Sequence, residues 1–154
     1  MKYFFQALCK SSFSLCAALC PALFFSCSSS QQLNNWSSIE GEWNIIELKG
    51  STVVPGQEQK FPFIGFDTTE GRIYGNAGCN SLIGSFDLKE KPGKLDLSKV
   101  GTTMMMCPDM ELEQRVLSVL GDAKQIRPIN EQQMGLYDGS SKPLAVLQRK
   151  AADQ

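Results

Sequence analysis

The sequence contains no histidine among its 154 residues. Histidine is the usual base that activates a catalytic serine or cysteine, so its absence excludes Ser–His–Asp and Cys–His machinery. The six cysteines never take the Cys-x-x-Cys spacing of disulfide oxidoreductases. The chain also lacks a glycine-rich phosphate loop with its lysine, and it has no basic run suited to a nucleic acid backbone. We therefore predict a protein that is not an enzyme, uses no cofactor and binds no nucleic acid.

Paired carboxylates are a catalytic arrangement that the composition leaves open, because a glycosidase needs only two of them. The candidates are Asp67, Glu70, Asp87, Glu90 and Asp96. They lie in segments that contain glycine, lysine and threonine, and such segments are typical of solvated turns. Surface loops are therefore favoured over a paired catalytic site.

The chain has no apolar run that would span a bilayer comfortably, which takes roughly 20 residues. The longest candidate, residues 13–25, follows Lys2 and Lys10 and ends at a serine and a cysteine. A basic start, a short apolar stretch and a small residue at the end are the pattern of a signal peptide. We therefore predict that residues 1–26 form a lipoprotein signal peptide and are removed.

Residues 23–27, Leu-Phe-Phe-Ser-Cys, resemble the lipobox that directs lipid to a cysteine. Cys27 is then the mature N-terminus, and its acyl chains hold the protein in the membrane. Residues 27–38 are mostly polar and of low complexity, which predicts a flexible tether next to the lipid. We expect a bacterial cell envelope protein, anchored by lipid in the outer membrane and facing the periplasm. An ordinary signal peptide with a later cut and an uncleaved anchor are the alternatives.

Removal of the signal peptide leaves 128 residues, enough for one domain and one core but hardly for two. Among these, 13 basic and 16 acidic residues remain, so the formal charge is about −3. We predict one monomeric domain over residues 39–150. Trp43 alternates with Ile45 and is predicted to be in its core, whereas Trp36, close to the tether, is a candidate for a ligand surface.

Short apolar runs of two-residue period, separated by turn residues, predict an antiparallel sheet or barrel. The predicted strands are residues 43–48, 61–66, 72–76, 81–88, 94–97, 102–106, 125–129, 134–137 and 144–148. Asp138-Gly139 predicts a hairpin turn between the last two. Apolar residues at helical spacing between Pro108 and Gly121 predict one amphipathic helix at about residues 109–120. The fold class is mainly β (β-rich α+β), a compact antiparallel barrel-like sheet with one helix.

Two segments, Gly-Asn-Ala-Gly-Cys-Asn at residues 75–80 and Thr-Met-Met-Met-Cys at residues 103–107, carry a family pattern. Together with the strand of Trp43, Gly-Ser-Phe at 84–86 and Glu113, they resemble the META/HslJ domain of small bacterial lipoproteins. The resemblance implies a compact, mainly β, barrel-like fold with one helix. It also implies an association with heat shock, antibiotic tolerance or the cell envelope, and it brings no catalytic residues. The motif positions are Gly75, Gly78, Asn80, Thr103, Met105 and Met106.

Two cysteines are free to pair with each other after export. Three of the six leave with the signal peptide and Cys27 takes lipid, so Cys79 and Cys107 remain. An oxidising periplasm would let them form a disulfide. The bridge would close a loop of about 29 residues, which the chain-entropy description values at about 3.6 kcal/mol.

The methionines around Cys107 allow two interpretations. Thioether and thiolate sulfurs are soft ligands, so Met104, Met106, Cys107 and Cys79 could bind Cu(I). Methionine also fills irregular cores, and core packing is favoured here. A disulfide would remove both cysteines as ligands, so no metal site is predicted. Glycine and asparagine at residues 75–80 are interpreted as a folded corner.

Two function classes follow from these observations. The first is a non-enzymatic lipoprotein that binds an envelope protein or stabilises envelope components under stress. The alternative is a small-ligand or soft-metal-binding periplasmic barrel with an interior cavity. Side chains that fill the interior favour the first, and a wet cavity favours the second. The predicted cavity lining is Phe61, Phe63, Phe66, Tyr74, Phe86, Met104 and Met106.

Overall fold

The computed structural model describes residues 32–57, 59–108 and 110–151. The predicted signal peptide and the lipidated Cys27 lie outside these residues. None of the helices in this part of the chain has the length and apolar character needed to cross a membrane.

The described residues form one curled half-barrel of nine antiparallel strands with one α-helix, which confirms the predicted fold class. The spatial order is β6-β5-β4-β3-β1-β9-β8-β7, and β2 pairs with β1 beside this path. The strands are β1 (Gly41–Leu48), β2 (Ser51–Thr52), β3 (Phe63–Asp67), β4 (Arg72–Asn76), β5 (Ser81–Ser85), β6 (Gly101–Thr102), β7 (Gln125–Pro128), β8 (Gln133–Tyr137) and β9 (Ala145–Arg149); the helix is α1 (Glu111–Asp122).

The central strand β1 shows how alternation builds the core. Trp43 and Ile45 are buried, as predicted. A β-bulge between Ile45 and Glu47, seen as a register shift against β9, then changes which side chains point into the core. Leu48 is therefore buried at the end of the strand. The bulge keeps the charged Glu47 out of the interior while an apolar residue enters it.

Helix α1 places its apolar face on the core. Leu112, Val116, Val119 and Leu120 are buried, as their helical spacing predicts. The helix extends two residues past the predicted end, through Gly121, and is closed by Ala123, whose N–H bonds to the carbonyls of Val119 and Leu120. Gly121 therefore lies inside the last turn and does not end the helix.

Two predicted strands are mostly loop. At residues 94–97 only Lys94 makes a bridge, to Gln125, although Leu95 and Leu97 are buried. The strand predicted at 102–106 ends at Thr102. The N–H of Thr103 still bonds to the carbonyl of Ser81 in β5, but the backbone of Met105 bonds to the side chain of Asn80 instead of a neighbouring strand. At residues 94–97 alternation identified the side chains that face inward but not which backbone groups pair.

The connection between β8 and β9 agrees with the interval between the two predicted strands, residues 138–143, to within one residue. It extends over residues 138–144. Gly139 takes a φ of +117°, and the Asp138 carboxylate accepts the N–H of Ser140 at 2.8 Å. The turn signal at Asp138-Gly139 was correct in place, and the local side-chain bond stabilises the turn.

The folded domain begins before residue 39, so the second half of the predicted tether was wrong. Leu33 and Trp36 are buried, and Trp36 opens a short 3-10 helix, Trp36–Ile39. The Trp36 ring lies 5.1 Å from that of Phe86, and its Nε1 donates to the carbonyl of Leu88 at 3.2 Å. Trp36 is thus a core residue and not part of a ligand surface.

Candidate functional site

Cys79 and Cys107 form a disulfide, as predicted. Their Cα atoms are 6.3 Å apart and the residues are 28 positions apart in the chain. Cys79 lies in the turn between β4 and β5, and Cys107 lies shortly before α1. The bridge therefore fixes the chain that leads into the helix against one corner of the sheet.

The corner at residues 75–80 is a tight turn, as its composition predicts. At Gly75 a Cβ atom would collide with the carbonyl oxygen of Phe63 on the next strand, so only glycine fits. Gly78 has a φ of +121°, which also favours glycine. The side chain of Asn76 accepts the N–H of Gly78 at 2.7 Å inside this turn.

Asn80 occupies the centre of the site and is only 1% exposed. Its Oδ1 accepts the N–H of Met105 at 2.7 Å and the Oγ1 hydroxyl of Thr103 at 2.8 Å. Its Nδ2 donates to the carbonyl of Met105 at 3.1 Å. The amide thus binds both backbone groups of Met105, as a neighbouring strand would do.

Glu113 binds Asn80 from the other side and is 3% exposed. Its carboxylate accepts the backbone N–H of Asn80 at 2.8 Å and Nδ2 at 2.9 Å. Glu113 lies in the first turn of α1, where the helix dipole favours a negative charge. Charge-assisted hydrogen bonds and this dipole compensate for burying the carboxylate.

Asn80 therefore meets two motif positions, Thr103 and Met105, that lie 23 and 25 positions later in the sequence. Glu113 joins them, although the sequence analysis gave it no site role. A carboxylate in the first helical turn is usually a surface residue, so its type and position gave no sign of burial. Only the packing of α1 over the corner reveals its function in the network.

Residues 103–108 are here called the methionine loop, and their three methionine side chains face solvent. Met104 and Met106 are each 99% exposed and Met105 is 62% exposed. The favoured prediction that these methionines pack in the core was therefore wrong. The cause is that the backbone of Met105 is held by Asn80, which turns the side chains away from the domain.

A groove of about 560 Å³ opens beside the methionine loop. The segment before β3 forms its other side and is attached by a hydrogen bond from Lys60 N to the carbonyl of Gly78, 3.0 Å long. The described residues that line the groove carry no charge. They are Gly56, Gln57, Gln59, Cys79, Met106, Cys107 and Pro108.

The predicted cavity lining does not surround one space. Phe66 is completely buried in the core, whereas Met104 and Met106 lie on the outer surface. Tyr74 is 40% exposed and Phe61 42% exposed. The interior-cavity form of the alternative function is therefore not supported by these residues.

The acidic residues lie at the surface. Asp87, Glu90 and Asp96 line an open groove of about 440 Å³ together with two lysines. A hydrogen bond from the Lys124 ammonium, 2.9 Å long, is the main cause that holds the pKa of Asp96 well below its usual range. The backbone N–H of Glu70, helped by Arg72, lowers the pKa of Asp67. A general acid needs the opposite shift, so neither carboxyl is suited to that role.

The described residues contain no group of three or more histidine, cysteine, aspartate or glutamate side chains that could hold a metal ion. Both cysteines of this part of the chain are consumed by the disulfide. The soft thioethers of the methionine loop therefore remain as candidate ligands there.

Comparison with known proteins finds the META domain over residues 33–151. Two structures solved by NMR share 20% identity with the chain. One, from Burkholderia xenovorans, covers 94% of this chain and all of its own, with a TM-score of 0.55. The other covers 71% of this chain and 89% of its own, with a TM-score of 0.51. At this identity they show the fold alone, and no curated protein matches the chain.

Proposed function

Because the chain belongs to the META domain family over residues 33–151, we propose that it is a non-enzymatic binding or stabilising module of the bacterial cell envelope. The family is not known for an enzymatic activity. In this proposal lipid on Cys27 anchors the module in the outer membrane, with the domain in the periplasm. Its partner is an envelope protein, and its role is connected with stress.

The single observation that carries the proposal is a fixed loop with exposed side chains. Asn80 holds the backbone of Met105, and the disulfide holds Cys107 two residues later. Burial of the Glu113 carboxylate and the Asn80 amide costs free energy. The loop that they hold nevertheless contributes neither Met104 nor Met106 to the core. A surface that is already ordered loses less entropy on binding, and methionine adapts well to an apolar partner.

The experiment is photo-crosslinking in living bacteria that express the full chain. A photoreactive amino acid replaces Met106 in one variant and the exposed Ser140, in the β8–β9 connection, in the matched control. We expect an adduct of defined mass from position 106 and none from position 140. Equal adducts at both positions, or none at either, would contradict the methionine loop as the binding surface.

The association with stress is tested separately in the native bacterium. Loss of the protein should lower survival after heat or antibiotic exposure, and the wild-type chain should restore it. A variant with leucine at Met104, Met105 and Met106 should fold normally but fail to restore survival. Full rescue by this variant would separate the stress role from the loop.

A further inference from the structure

The methionine loop offers three adjacent thioethers that the fold does not use. We propose that Met104, Met105 and Met106 bind a soft monovalent cation, Cu(I) or Ag(I), through their sulfur atoms. The inference rests on the binding role proposed above and names a ligand class for the same loop.

Exposure is the first argument. A methionine packed in a core cannot offer its sulfur to a ligand, but Met104 and Met106 are 99% exposed and Met105 is 62% exposed. Each side chain has three rotatable bonds, so sulfurs on consecutive residues can converge on one ion. For comparison, Met134 in β8 is 5% exposed and is not available.

Ligand chemistry selects the kind of metal. Thioethers bind soft cations such as Cu(I), whereas Zn(II) and Cu(II) prefer imidazole or thiolate, and Mg(II) prefers oxygen. The chain has no histidine, and Cys79 and Cys107 are bonded to each other.

Preorganisation is the third argument. Asn80 fixes both backbone groups of Met105, and the disulfide fixes Cys107, so Met106 lies between two anchored residues. A loop held in this way does not have to be ordered when an ion binds. Asn80 is thus a positioning residue for the thioethers, and it does not contact the ion.

Silver(I) is the probe, because it needs no reductant and therefore leaves the disulfide intact. The full chain is expressed in a bacterial host and purified in mild detergent without reductant or chloride. Calorimetric titration and native mass spectrometry should show one bound Ag(I) per chain. Spectra of protein labelled with ¹³C-methyl methionine should show the loop methyl signals moving while that of Met134 stays.

The decisive variant replaces Met104, Met105 and Met106 by leucine, which keeps the volume and removes the sulfur. These side chains are exposed, so its thermal midpoint should match wild type. Binding should weaken by at least about tenfold, which corresponds to about 1.4 kcal/mol. The control, Met134→Leu, removes a sulfur from the core and should bind Ag(I) as wild type does. Zn(II) should bind to none of the three proteins.

Equal Ag(I) affinity in the wild type and the triple variant would overturn the inference, as would the absence of binding to the wild type. In either case, an adduct at position 106 in the crosslinking experiment would still support the binding module. If Ag(I) binds through the loop but no adduct forms, the cation site stands and the protein partner does not.

Discussion

At the scale of single residues, the site depends on one buried side-chain amide, which bonds to a backbone as a neighbouring strand would. Asn80 contacts the backbone of Met105 on one side and the carboxylate of Glu113 on the other. Its residue type and place in a glycine-rich turn predicted a folded corner, which is correct. Its long-range partners could not be predicted, because hydrogen bonds over 25 and 33 positions leave no periodic signal in the sequence.

Replacing Asn80 by alanine should destabilise the domain strongly. The change removes the Nδ2 donor to Glu113, whose buried carboxylate then keeps, among the described residues, only the backbone N–H of residue 80, and it removes the bonds to Met105; we expect it to lower the free energy of unfolding by about 3 kcal/mol. Urea unfolding followed by tryptophan fluorescence measures the loss. The matched control is Asn34→Ala at an exposed position, where a change within about 0.5 kcal/mol is expected. A loss below about 1 kcal/mol for Asn80→Ala would contradict the network's importance.

Asp96 gives a prediction about acid stability. Its pKa is lowered from the ordinary value of 3.8, chiefly by Lys124, so the folded state prefers the charged form. The stabilisation is present above about pH 3.8 and is lost as the pH falls towards the lower folded pKa. The thermal midpoint of Asp96→Asn should therefore lie below wild type near neutral pH, and the two curves should approach each other in acid.

Lys124→Gln removes the main cause of that shift and provides the control for Asp96. Its midpoint should show the same convergence with wild type as the pH falls. A constant difference between wild type and Asp96→Asn from neutral pH to acid would show that the effect of Asp96 is not electrostatic.

At the scale of elements, periodicity located the helix and seven of the nine strands, β1, β3, β4, β5, β7, β8 and β9, but not what joins them. Of these strands, β4 was predicted with its exact bounds, and the others have at least one end that differs by one to three residues. The prediction failed at residues 103–106, where Asn80 replaces a strand partner and the methionines face solvent, and at residues 94–97, where Leu95 and Leu97 are buried but the backbone is hardly paired. Apolar alternation gave the correct burial only at residues 94–97, and a strand also requires a neighbouring backbone.

The disulfide ties three elements together, namely β4, β5 and the entry to α1, and its loss should be visible in stability. Replacing Cys79 and Cys107 by serine releases a loop of about 29 residues, which the chain-entropy description values at about 3.6 kcal/mol. A domain of this size should then melt about 10 °C lower. Calorimetry measures the midpoint, and hydrogen exchange should show faster exchange in the methionine loop.

The single replacement Cys107→Ser, which leaves Cys79 as a free thiol, serves as the comparison for that double variant. It should melt close to the double variant, since both lack the bridge. An unchanged midpoint for the double variant would mean that the hydrogen bonds of Asn80 hold the corner without help from the bridge.

At the scale of the whole molecule, the family defines the fold, and the proposed function depends on one surface loop. The META domain accounts for residues 33–151, including Leu33 and Trp36, which the sequence analysis had assigned to the tether. The buried residues of the described core are mostly apolar, and the buried Asn80 and Glu113 are occupied by each other, so the side chains available to a ligand lie outside it, in the methionine loop. Access to that loop depends on which compartment the chain occupies, and therefore on its N-terminus.

The last prediction concerns that terminus. If Cys27 carries lipid, the full chain expressed in a bacterium should appear in the membrane fraction and require detergent for extraction. Each buried methylene contributes about 0.8 kcal/mol, and stable anchoring takes more than one acyl chain. The intact mass should equal residues 27–154 plus several acyl chains, and labelled palmitate should be incorporated. Cys27→Ala should lose both the acyl mass and the label.

Cys20→Ala is the matched control for Cys27→Ala, because this cysteine lies in the segment predicted to be removed. Its product should have the same mass and label as wild type. A mature chain that starts after residue 27 without acyl mass would identify an ordinary signal peptide, and an intact 154-residue chain would identify an uncleaved anchor. Either result would contradict lipidation. An ordinary signal peptide would still place the methionine loop in the periplasm, where oxidation of Cys79 and Cys107 is favoured.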